Sequence, residues 1–182
     1  MRLRSLAACA AIALLAVLPS RAAAQASAAA SAPYPLDAIP DKEPFGMPYG
    51  APIPLQRAQA LVAAALAEAA RHAWPMNVAV VDSGANLLAF ARMDGAQLAS
   101  IAVSQHKART AVKYRRPTKV FEEGIQKSGY VYQLTLDDIV ASRGGFPIVE
   151  DGHVVGGLGC SGGTGSQDEA VCQAALAAMG FK

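Results

Sequence analysis

The sequence predicts an α/β protein of the α+β kind, with helices packed on an antiparallel sheet. Two observations point there. Apolar residues recur at helical spacing in some segments and as short β-branched runs in others. The runs also come as two hairpins separated by helices, whereas a parallel βαβ fold would alternate single strands with helices. A third observation bounds the size: 182 residues with 53% apolar side chains, less an N-terminal leader, suit one ordinary domain.

Arg2 and Arg4 precede an uncharged run from Leu6 to Leu18, followed by Pro19, Ser20 and the small-residue stretch Arg21 to Ala26. This is the pattern of a cleavable signal peptide over residues 1–26, cut after Ala24 or Ala26. The run is shorter than the roughly 20 apolar residues a membrane span needs. Leu6-Ala7-Ala8-Cys9 resembles a lipobox, but its apolar segment follows the cysteine instead of preceding it. The expectation is a periplasmic or secreted protein with no transmembrane segment in the mature chain.

Residues 27–54 form a Pro/Ala-rich arm, with Pro33, Pro35, Pro40, Pro44, Pro48, Pro52 and Pro54 favouring extended chain. Tyr34, Phe45, Met47 and Tyr49 give its second half something to pack on the domain or on a neighbouring subunit. The domain proper spans 55–182. Leu55, Ala58, Val62, Ala65, Leu66 and Ala69 repeat at helical spacing as far as Ala73, and Pro75 ends that helix. Met76 to Val81 and Asn86 to Arg92 flank the turn residues Asp82-Ser83-Gly84-Ala85 as a first hairpin. Leu98 to Lys113 reads as a second helix and Thr118 to Lys127 as a short third one, while 128–143 carries no clear pattern. Asp151-Gly152 between apolar runs marks the second hairpin. Gly156 to Gly165 is glycine-rich, and Ser166 to Met179 closes the chain as a helix, Ser166 and Glu169 having the spacing of a capping box.

The formal charge of +2 falls to −1 once Arg2, Arg4 and Arg21 leave with the leader, so no basic nucleic-acid footprint remains. Cys160 and Cys172 stay, twelve apart. Two buried free thiols are expected, with a disulfide as the alternative in an oxidising compartment.

Three strings match well-known catalytic patterns and lack their partners. Gly159-Cys160-Ser161-Gly162-Gly163 spells a nucleophile elbow, yet His72, His106 and His153 all precede it, where that mechanism needs a later histidine. Gly157 to Gly162 spells a dinucleotide loop without the second parallel strand and the acidic residue roughly twenty positions on that such a fold needs, and Asp168 and Glu169 already occupy the positive end of the helix that follows. Ser104-Gln105-His106-Lys107 spells the serine–lysine pair of a larger enzyme class without its companion motifs. No set of His, Cys, Asp and Glu has zinc-site spacing.

The remaining candidates lie near the second helix. Ser100, Ser104, Lys107 and Ala111 share one face, where Lys107 either greets an anionic ligand or is simply solvated. Arg92 ends a strand beside Asp94, to hold a carboxylate or to pair internally. His106 stands on the adjacent face with Val103 and Thr110, as a structural residue or as a ligand.

VAVVD at Val78 to Asp82, RMDGA at Arg92 to Ala96, KARTA at Lys107 to Ala111, RRPT at Arg115 to Thr118 and the long stretch from Gly144 to Val171 together resemble the GlcG/HbpS-like family. The resemblance implies an α-β-α sandwich around a five-stranded antiparallel sheet, assembled into homo-oligomers. It also implies haem as cofactor in several relatives, with one exported relative partnering a membrane sensor in redox sensing. Carried over by motif, Arg92, Asp94, Lys107, Thr110, Gly144, Gly145 and Ser161 become the pocket-forming residues. For haem, His106 is the first candidate for the iron, with Tyr130, Tyr132 and Met93 behind it, and Lys107 and Arg92 would meet the propionates. Two rivals stand beside this reading. One is a cofactor-free lyase or isomerase acting on an oxygenated acid or aldehyde, in which Lys107 or Asp94 moves a proton and Arg92 holds a carboxylate. The other is a non-catalytic partner of a membrane sensor.

Overall fold

The computed structural model describes residues 39, 41–43 and 45–181. The expected signal peptide and the first part of the arm, Tyr34 included, lie outside the described residues. The compact body begins at Glu43.

Four strands, β1 (Asn77–Asp82), β2 (Leu87–Arg92), β3 (Gly145–Glu150) and β4 (His153–Ser161), form one antiparallel sheet in the order β2-β1-β4-β3. The two hairpins join through β1 and β4, register Val78 to Cys160 and Val80 to Leu158. Strand alternation then sorts the side chains. Val78, Val80, Leu158 and Cys160 face α1 (Leu55–Arg71) and α4 (Gly165–Ala178), in a core with Leu61, Ala65, Val171 and Leu176. Val81, Gly157 and Gly159 face α2 (Ala99–Lys113) on the other side. Helices therefore cover both faces, and β1, buried on both, reads as an unbroken apolar run. Pro147 is tolerated because β3 is an edge strand.

The sheet has four strands where the family resemblance implied five. The arm supplies only the beginnings of another. Val154 N donates to Pro48 O, Gly50 N to Val154 O and Ile53 N to Val155 O, with one parallel bridge from Tyr49 to Val154. Pro48, Pro52 and Pro54 have no N–H to extend that ladder. The arm's second half does pack on its own domain. Arg115 donates to Met47 O, the Arg116 guanidinium lies 3.2 Å from the Phe45 ring centroid, and Tyr49 donates to Val112 O.

The first part of the glycine-rich stretch is strand, as far as Ser161. Two further expectations are corrected. The last helix begins earlier, capped by Thr164 in a capping box with Gln167 instead of Ser166 with Glu169. Cys160 and Cys172 form a disulfide, Cα–Cα 5.9 Å, in place of free thiols. The reversal at 162–164 folds α4 back across β4, which brings the two cysteines together within the core. Among the described residues no helix is long and apolar enough to cross a membrane.

Candidate functional site

The small-residue face of α2 has no room for a ligand, because the sheet fills it. A Cβ on Gly157 would come 2.5 Å from Ala108 O and one on Gly145 2.5 Å from Lys107 O, and Gly159 is closer still to Ser104 O. Glycines in β3 and β4 thus let the helix backbone rest on the sheet. Lys107, 1% exposed, threads this contact. Its Nζ donates to Asp168 Oδ2 at 2.7 Å and to Cys160 O at 3.2 Å. Asp168 Oδ1 accepts from Gly162 N and Gly163 N, so the carboxylate ties α2, the end of β4 and the start of α4 into one buried knot. Gly144, at φ 108°, faces Asp168 and accepts from Cys160 N, while Ser161 Oγ donates to Ser100 Oγ. Lys107, Gly144, Gly145 and Ser161 lie near one another, packed around the buried Lys107–Asp168 ion pair where the sequence reading placed a pocket.

The other candidates are dispersed. Arg92 and Asp94 are exposed at the end of β2 and form no ion pair with each other. Lys107 is committed to Asp168 and Cys160 O and is not brought together with Arg92 for the cofactor-free chemistry, whereas Asp94 stands two residues from Arg92 at the strand end. His106 is exposed on the outer side of α2. Met93 packs against the core and its sulfur accepts from Met76 N. Buried Thr110 donates to Asp138 O and accepts from Val140 N, anchoring the loop after the 3₁₀ turn Val131–Thr135. Asp138, at φ 58°, is gripped by Arg109 and Lys113. The Lys113 hydrogen bond, against a burial penalty and with help from Arg109, holds its carboxyl below the usual range.

Tyr130 and Tyr132 line a cleft of about 420 Å³ between α3 (Lys119–Ser128), the 3₁₀ turn and the arm. That volume falls within the roughly 300–1,000 Å³ of small-molecule and cofactor sites. Phe45 and Val120 supply apolar wall, and Arg116 and Lys127 supply cations. Tyr49 and Tyr114 spend their hydroxyls on backbone carbonyls, whereas those of Tyr130 and Tyr132 have no protein partner among the described residues. Burial holds the Arg116 guanidinium below its ordinary value, a shift opposed by Tyr132 and increased by neighbouring Arg115. Gln133, 7% exposed, also lines the cleft and leaves its Oε1 buried without a partner. Such orphan groups are uncommon in folded proteins. Gly124 makes room for that amide, since a Cβ there would meet Oε1 at 2.8 Å.

Phe45, Arg116, Lys127 and Gln133 were missed as site residues. The paired arginines before Pro117 were a signal, but only the folded arm shows that Arg116 stacks on Phe45 at the cleft. Gln133 lies in the segment whose periodicity is unreadable.

A family model described as "Haem degrading protein HbpS-like" matches residues 53–177. Protein GlcG of Escherichia coli K12 is 41% identical over 106 residues, covering 58% of this chain and 78% of that protein. Among solved structures, a Streptomyces reticuli HbpS double mutant superposes with TM-score 0.66 at 28% identity, over 78% of this chain and 97% of the other. A PduOC:haem complex superposes with TM-score 0.66 at 28% identity, over 72% and 97%.

Proposed function

This chain belongs to the HbpS-like family, and from that premise we propose that it is an exported haem-binding protein serving haem and iron handling or redox sensing. The observation that carries the reading is the cleft beside the 3₁₀ turn. A haem site needs an apolar slot, a donor for the iron and cations for the propionates. Phe45 and Val120, the Tyr130 and Tyr132 phenols and the Arg116 guanidinium stand together there, while Lys127 is paired with Glu123, which also lines the cleft. When bound, haem would supply a redox-active iron, and Arg116 would be the cation nearest a propionate.

Two features support the rest of the reading. The Cys160–Cys172 disulfide suits an oxidising compartment, in keeping with a signal peptide over residues 1–26. Exposed Val131, Leu134 and Leu136 beside the cleft offer apolar surface to a second copy of the chain or to a membrane sensor partner. Haemin titration of the chain from Ser27 onward tests the proposal. A saturable Soret shift with one haem per chain is expected, and a response no different from that of an unrelated protein overturns it.

A further inference from the structure

We propose that the arm is a hinged strap that closes the cleft with its own side chain: the Phe45 ring sits on Arg116, and an aromatic carboxylate enters by lifting that ring away and taking its place. The inference rests on the reading of this cleft as a ligand site and concerns how the site is shut.

The arm is held unequally on the two sides of Gly46. From Met47 to Gly50 it is tied to the domain at every residue. Arg115 donates to Met47 O at 3.0 Å, Val154 N to Pro48 O, the Tyr49 hydroxyl to Val112 O and Lys113 O, and Gly50 N to Val154 O. Before Gly46, no backbone hydrogen bond joins Glu43 or Phe45 to the domain among the described residues. Two side-chain contacts remain there, Phe45 against Arg116 and Glu43 with Arg115 at 3.2 Å. Glu43 is 70% exposed, so its ion pair adds little. Gly46 is exposed, and a Cβ on it would meet nothing closer than 3.9 Å. Packing does not demand glycine at that position, whereas a hinge between a fixed and a loosely held segment uses its backbone freedom.

Arg116 is the seat. Its Nε donates to Tyr114 O at 2.9 Å, which fixes the plane of the guanidinium between the Phe45 ring at 3.2 Å and the Phe121 ring at 5.3 Å. It has no carboxylate partner among the described residues, and Glu123, which also lines the cleft, pairs with Lys127 at 2.9 Å. The chain leaves α2 through Arg115 at φ 52°, a left-handed position where glycine is usual, and this turn aims two successive arginines at the arm. A ring stacked on an otherwise unpaired guanidinium marks the chemistry that can replace it, an aromatic face carrying a carboxylate. The match to the family model starts at residue 53, so the strap precedes the part of the chain shared with the family.

A ring–guanidinium contact is worth a factor of about 2 to 30 in favour of the closed strap. Ligand affinity is reduced by the same factor, since only the open fraction is competent to bind.

The experiment follows fluorine NMR of the chain from Ser27 onward with its five phenylalanines replaced by para-fluorophenylalanine, the Phe45 signal being identified by its loss in Phe45→Leu. Without ligand, that signal should differ from that of a solvent-exposed ring and move to the exposed position in Arg116→Gln. Benzoate should move it the same way as it binds. Benzoate and haemin, the latter read by absorption, should bind Phe45→Ala about 2- to 30-fold more tightly than the parent. Phe45→Trp, with the stronger cation–π face, should bind both more weakly. A ring that merely forms a wall of the cleft predicts the opposite order, and that order overturns the strap. So does a Phe45 signal already at the exposed position in the free parent. Haemin binding equally to parent and Phe45→Ala overturns the strap and leaves the haem reading in place. Benzoate displacing the ring while haemin fails to bind overturns the haem reading and supports the strap. Failure of both probes to bind overturns both.

Discussion

At the scale of single residues, the buried Lys107 shows how far a sequence argument reaches. Its helical face was legible from the spacing of Ser100, Ser104 and Ala111, but its partner was not, because Asp168 lies 61 positions away on another helix. An ammonium 1% exposed is tolerable only when paired and hydrogen-bonded, and here Asp168 and Cys160 O meet that need. Breaking such a pair from one side leaves an uncompensated buried charge and costs about 3–5 kcal/mol. Lys107→Met should lose stability in that range by urea unfolding, and a loss below about 1 kcal/mol would show that the pair is not holding the knot. The cleft residues illustrate the opposite case. Tyr130 and Tyr132 were named behind His106 as ligand candidates only because the family resemblance implied haem, and nothing in their neighbours along the chain pointed to Arg116 or Phe45 as their company.

At the scale of elements, both hairpins and all four α-helices follow from periodicity and turn chemistry, with ends moved by a few residues at most. The glycine-rich run was harder to place, since Gly157 and Gly159 are strand glycines kept small by α2. Gly159→Ala would drive a methyl into the helix backbone at Ser104 and should cost about 1–3 kcal/mol or more. Thermal unfolding would register this as a clear fall in Tm, and an unchanged Tm would mean that the helix can lift without penalty. The stretch after the 3₁₀ turn has no periodicity because ion pairs hold it: Asp138 with Arg109 and Lys113, and Arg143 with Glu122. The side-chain hydrogen bond from Arg143, against a burial penalty, holds the Glu122 carboxyl below its ordinary value, as the Lys113 bond does Asp138. Carboxyls depressed in the folded state contribute stability that is complete above their unfolded pKa and is lost as pH falls through the folded one. Amide hydrogen exchange around residues 137–143 should therefore quicken on acidification below the ordinary carboxylate range. Exchange independent of pH, once its intrinsic rate is corrected for, would contradict that anchoring.

At the scale of the molecule, three layers, a disulfide and a clamped arm make one body. The disulfide links β4 to α4 across a separation of twelve residues, and closing a loop of that size contributes about 2–3 kcal/mol. Reduction under mild denaturant should lower the unfolding midpoint accordingly, and an unchanged midpoint would mean that the unfolded chain gains nothing from the cut. Two aspects of the whole were not readable in advance. The arm's prolines announced extended chain, yet only folding shows Arg115 and Arg116 seizing it at Met47 and Phe45. The fifth strand implied by family resemblance dwindles to the hydrogen bonds around Tyr49, since proline cannot sustain a ladder. The central claim is that haem occupies the cleft between α3, the 3₁₀ turn and the arm. Its most direct test is paramagnetic broadening of backbone amide resonances when ferric haemin is added to isotope-labelled chain from Ser27 onward. Selective loss of signals from Gly124, Lys127 and residues 130–133, with those of the Lys107 knot retained, is the predicted result; broadening centred on the outer face of α2 at His106, or none beyond free haemin, would contradict it.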